Sequence, residues 1–156
     1  MDDPHQTGLG ILTGKLTELA RRFVAEHGRF QAFAGAIGRD GEITHLGVDP
    51  SIEEPDRAIE ALAHDIRALD SDAGVVAADV RITPPRTEQP TDCIMVIAEE
   101  RSGVVSRTFI PYTRGEDGSV VYGEKFADSA PQRVLFVRDR ITGEIKIATI
   151  DDGDQA

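Results

Sequence analysis

Residues 56–83 read DRAIEALAHDIRALDSDAGVVAADVRIT, and the spacing of their apolar residues changes half-way along. Before the change, Ile59, Leu62, Ala63, Ile66 and Leu69 recur at three- and four-residue steps, one stripe of an α-helix. After it, Val76, Ala78, Val80 and Ile82 fall on one side and Asp79 and Arg81 on the other, the alternation of a strand. Residues 70–74, DSDAG, hold the turn formers that separate the two. A single change of period near Ala73 predicts one α+β domain, with two helices packed on one face of an antiparallel, meander-like sheet.

Toward the N-terminus, Leu9, Leu12, Leu16, Leu19, Ala20, Phe23 and Val24 form a second helical stripe. The spacing predicts a helix over 7–27, with Gly28 as its C-terminal cap and Pro4 outside it. Two strand-like runs follow, 29–37 and 42–48, joined by a turn containing Asp40-Gly41, and they read as a hairpin. Phe30, Ala32, Ala34 and Ala36 share one face of the first strand, a row small enough to let a helix approach. Gly35 on the other face reads as close packing, or as a place where a ligand nears the backbone. Residues 49–55 contain Pro50 and Pro55, which end the hairpin and prepare the helix that starts at Asp56.

Toward the C-terminus, a polar loop over 84–90 leads to residues 92–98, apolar on both faces and therefore expected at the centre of the sheet. Strands over 104–110 and 120–123 follow, with Pro111 marking an edge or a bulge. Residues 134–137 and 144–150 are expected to form a last hairpin, and 151–156 a disordered acidic tail beyond a single domain spanning 1–150. The order α-β-β-α-β-β-β with added C-terminal strands is similar to that of roadblock and profilin-like modules. That is a likeness of element order, and it carries no functional residue across. One core is expected to hold Leu16, Phe23, Ile59, Leu62, Ile66, Val80, Ile94, Val96 and Phe109.

With 156 residues the chain is long enough to bury a core without disulfide or metal. Its 40% hydrophobic and 29% charged residues are those of a globular protein rather than a disordered one. One cysteine, Cys93, forbids an internal disulfide and fits a reducing compartment or indifference to redox. The start, Met1-Asp2-Asp3-Pro4-His5, lacks the basic and apolar regions of a secretion signal, and no apolar run reaches the roughly 18 residues of a membrane span. A cytoplasmic location is therefore expected. The net charge of −11 argues against nucleic acid and anionic membrane as partners, since both draw affinity from Lys and Arg. Lysine stands only at positions 15, 125 and 146.

No motif announces chemistry. The four histidines, His5, His27, His45 and His64, are scattered, without the i, i+4 pairing of a zinc helix. Cys93 has Asp92 and Ile94 beside it, the opposite of the electropositive setting that activates a thiol. The tail sequence Asp151-Asp152-Gly153-Asp154 opens like a calcium loop but ends before the distant glutamate. Glu99 and Glu100 project from opposite sides of a strand and cannot share an ion. The glycines of 8–10 and 35–38 lack the Lys-Ser/Thr pair of a phosphate loop. No cofactor or metal is expected, and no catalytic residue is assigned.

Three functions fit these observations. The first is a non-enzymatic protein-interaction module, binding a protein partner or itself through a sheet edge or helix face. The second is an acidic inhibitor or immunity protein that neutralises a basic partner; acidic residues gathered on one face would favour it. The third is a small-ligand binder or hydrolase with a pocket between the second helix and the sheet, lined by His45, Asp79, Arg81 and Arg107.

Overall fold

The computed structural model describes residues 4–136. Helix α1 runs Pro4–His27, strands β1 and β2 run Phe33–Ile37 and Ile43–Gly47, and α2 runs Pro55–Ala68. The long strands β3, β4 and β5 run Ala73–Ile82, Thr91–Glu100 and Val105–Arg114, followed by the short β6, Val120–Tyr122, and β7, Phe126–Ala127. Every pairing is antiparallel, and the sheet order is β2-β1-β3-β4-β5-β6, with β7 on the outer side of β5 beside β6. The expected order of helices and strands is the one found. From β3 onward the chain is a meander, whereas β1 separates β2 from β3 and α2 makes the crossing.

The layering differs from the expectation. The two helices lie on opposite faces of the sheet. Leu9, Leu12, Leu16, Ala20 and Val24 of α1 pack with Val75, Ala77, Ile94, Val96, Ala98 and Ile110. Ile59, Leu62, Ala63 and Ile66 of α2 pack with Val76, Ala78, Val80, Met95, Ile97 and Phe109. The reason lies in β3 and β4, whose residues 73–78 and 93–98 are buried without a break. A strand apolar on both sides needs a cover on both sides. The expected single core is thus two, with Leu16, Ile94 and Val96 in one and Ile59, Leu62, Ile66, Val80 and Phe109 in the other. Phe23 is only partly buried and meets Phe33 edge-on at 5.5 Å.

Each helix approaches the sheet over a glycine. A Cβ on Gly35 would stand 3.0 Å from Leu12 of α1, and one on Gly74 would stand 3.0 Å from Ile66 of α2. Gly35 therefore serves close packing, the first of its two sequence readings.

Local differences have local causes. Helix α1 begins at Pro4 rather than beyond it, because proline lacks only an N–H that the first helical turn leaves unpaired anyway. Gly28, at φ +85°, closes that helix by donating to the Val24 carbonyl at 2.8 Å. Strand β5 continues through Pro111, whose carbonyl accepts from the Gly123 N–H at 2.8 Å. The proline sits where the outer partner changes from β7, paired to 108–109, to β6, paired to 112–114. Residues 134–136 form no strand, for a reason given below; the remainder of the expected last hairpin and the tail lie outside the described residues. Among the described residues no helix is long and apolar enough to cross a membrane.

Candidate functional site

The four residues named as a possible pocket lining do not converge. His45 is exposed on the edge strand β2, paired with Gly35 on the α1 side of the sheet. Asp79 and Arg81 lie on the same side, farther along β3. Arg81 is exposed and bonds to Asp92 on β4 at 3.0 Å, a cross-strand pair in solvent. Arg107 lies on the opposite, α2 side, paired with Ile97, and is 3% exposed. The crevice between the start of α2 and the sheet has a volume of about 30 Å³ and includes Asp79 but none of the other three. That is room for about one water, and too little for a substrate.

Asp79 has an architectural task. Its carboxylate accepts from the Tyr112 hydroxyl at 2.8 Å and from the Phe30 N–H at 3.2 Å, tying the α1–β1 connection to the sheet. Burial holds its pKa above the ordinary carboxylate value, with those two hydrogen bonds pulling the other way. Burial, followed by the bond to Asp79, likewise pushes the Tyr112 phenol above its ordinary range.

The strongest buried polar arrangement is one that the strand pattern alone did not reveal. Glu99 is fully buried, and its carboxylate accepts from three successive backbone N–H groups: Val134 at 2.6 Å, Leu135 at 2.9 Å and Phe136 at 3.2 Å. These bonds replace the ladder of the strand expected at 134–137 and seat Leu135, also fully buried, in the α2-side core. The Arg133 guanidinium stands 3.6 Å from Glu99 and donates to the Glu100 carbonyl at 2.8 Å. Arg67 of α2 donates to the Leu135 carbonyl at 2.9 Å. Arg107 donates to the Gln132 carbonyl at 3.2 Å, and its pKa is depressed by burial against the opposing charges of Asp128 and Glu99. The only hint in the sequence was an acidic pair ending an apolar strand. The arrangement clamps residues 132–136 across the sheet.

Two surfaces stand out among the described residues. The first is β2, exposed at four of its five positions, with Ile43 40% exposed. Among the described strands β2 pairs with β1 alone, and its other side is an edge without a partner among them. The second is an open trough of about 730 Å³ beside α1, lined by Lys15, Leu19, Arg22, His45 and Tyr122 among others.

Charge is divided between the two faces. Described residues of α1 carry Lys15, Arg21 and Arg22 against Glu18 and Glu26. The stretch 49–65, which leads into and forms most of α2, carries Asp49, Glu53, Glu54, Asp56, Glu60 and Asp65 against Arg57. No group of three or more metal-ligating side chains is found among the described residues. Comparisons with protein-family models, with curated proteins and with solved structures return no match to this chain.

Proposed function

We propose that the chain is a non-enzymatic protein-interaction module that binds an extended segment of polypeptide along the free edge of β2. The observation that carries this reading is the contrast between the two edges of the sheet. At one edge the outer strands β6 and β7 are three and two residues long, the short form in which proteins blunt an edge. At the other, β2 offers five residues, Ile-Thr-His-Leu-Gly, with no lysine, proline or carboxylate among them. Such an edge supplies main-chain hydrogen bonds to an added strand, while the side chains beside it supply selectivity. Asp79, Glu99 and Arg107 support the reading from the other side, because their hydrogen bonds hold segments of the fold together.

A photo-reactive residue placed at Thr44 tests this in cells that produce the protein, with the same residue at exposed His64 on α2 as the control. Adducts of discrete size from position 44 and none from position 64 are expected. Adducts that are absent from position 44, or equal at the two positions, would overturn the reading.

A second reading is favoured by the acidic stretch leading into α2, which suits capture of a basic protein. That partner would cross-link from position 64, and the adduct would fade as salt rises, since long-range attraction is screened.

A further inference from the structure

We infer that the segment received by β2 is the β2 strand of a second copy of this chain, paired antiparallel about a two-fold axis at His45. The inference rests on the reading of β2 as the binding edge and names its occupant. The Gly38 N–H donates to the Glu42 carbonyl at 2.9 Å, which fixes the phase of the β1–β2 ladder. Because residues in an antiparallel ladder bond alternately to one side and the other, Thr44 and Leu46 point their backbone groups at β1. Ile43, His45 and Gly47 point theirs outward. Three outward residues spaced by two are self-complementary: Ile43 of one copy meets Gly47 of the other, and His45 meets itself.

The side chains fit the same register. A Cβ on Gly47 would have nothing within 4 Å, and Gly47 is not among the glycines with positive φ. Within one copy neither backbone nor packing calls for glycine there. Across the two-fold, the exposed Ile43 side chain lies against that open position, on the same side of the sheet. Pairing β2 with itself also uses up both long edges. Among the described strands the short β6 and β7 are then the remaining edges, so the contact closes as a dimer instead of propagating. Two copies of net charge −11 repel, so association should strengthen as salt rises.

Sedimentation equilibrium on the purified chain, with thermal melts to confirm folding of each variant, tests the proposal. A dimer is expected in the parent. Ile43→Lys, which sets a charge into the contact, and Gly47→Val, which fills the position Ile43 would occupy, should each weaken it by about tenfold or more. In His45→Cys the two cysteines would lie with Cα atoms about 5.5 Å apart, within disulfide range, so mild oxidation should yield a covalent dimer. A cysteine at exposed His64 should not. A chain monomeric at all concentrations, or a dimer indifferent to Ile43→Lys and Gly47→Val, would overturn the inference. A monomer that still cross-links to another polypeptide from position 44 would leave β2 as the binding edge and refute only the second copy.

Discussion

Replacing Glu99 should release the segment it holds, and two substitutions separate the parts of its role. In Glu99→Ala, the N–H groups of Val134, Leu135 and Phe136 lose their acceptor, and Arg133 and Arg107 lose a nearby negative charge. A hydrogen bond to a charged group contributes roughly 1.5–3 kcal/mol, and bonds to one carboxylate are not additive. Removing one partner of a buried ionic group costs about 3–5 kcal/mol, which is the loss expected here. Letting residues 133–136 swing into water would satisfy their backbone but expose Leu135, at about 1.5–3 kcal/mol for a side chain of that size. Glu99→Gln keeps one oxygen, which suits the Val134 and Leu135 bonds on Oε2, and turns an amide toward Phe136, where donor faces donor. About 1–3 kcal/mol is expected for it. The chain has no tryptophan, so urea melts are best followed by far-ultraviolet circular dichroism. A Glu99→Ala variant within about half a kcal/mol of the parent, inside the range of an ordinary surface change, would refute the clamp.

Other outcomes follow from the same structure. Leu62→Ala, at a fully buried position of α2, should cost about 2–5 kcal/mol, and a loss well below this range in urea melts would contradict its place in the core. Asp79 has a folded pKa above its unfolded value, so its contribution is present in full below the unfolded pKa and is lost as pH rises through the folded one. Relative to Asp79→Asn, the parent should therefore lose stability as pH rises above the ordinary aspartate pKa of about 4, and a difference that stays constant with pH would refute the assigned burial. Cys93 is buried within β4, so a thiol reagent should label it slowly in the native protein and rapidly in urea; fast native labelling would place it at an accessible surface.

Much of the fold is legible in the sequence because both helices carry a helical period and turn formers bound the three long strands. The side of the sheet each helix takes is not. Ala73 to Ala78 and Cys93 to Ala98 are apolar at consecutive positions, so alternation gives no inner and outer face there, and only the need to cover both sides decides. Gly35 and Gly74 hold the trace of that arrangement, but a glycine in a strand has several uses. Residues 134–136 look like a strand, because Val-Leu-Phe satisfies that pattern whether its N–H groups meet a neighbouring strand or a carboxylate 35 residues upstream. Of the polar candidates, Asp79 is a charged residue between the apolar Ala78 and Val80 on β3, and Arg107 is one between Val105 and Phe109 on its face of β5. That pattern fits an active group, and equally an anchor such as the one Asp79 makes with Tyr112. His45 alone lies on the surface the proposed function uses, and it lies there as part of an edge.

The claim that β2 is the binding edge is met most directly by amide hydrogen exchange, read residue by residue on the dilute protein and on the assembly it enters. Thr44 and Leu46, bonded to β1, should be protected in both states, whereas Ile43, His45 and Gly47 should exchange freely when alone and become protected on assembly. Five β2 amides whose exchange is unchanged by assembly, while protection appears elsewhere on the chain, would contradict it.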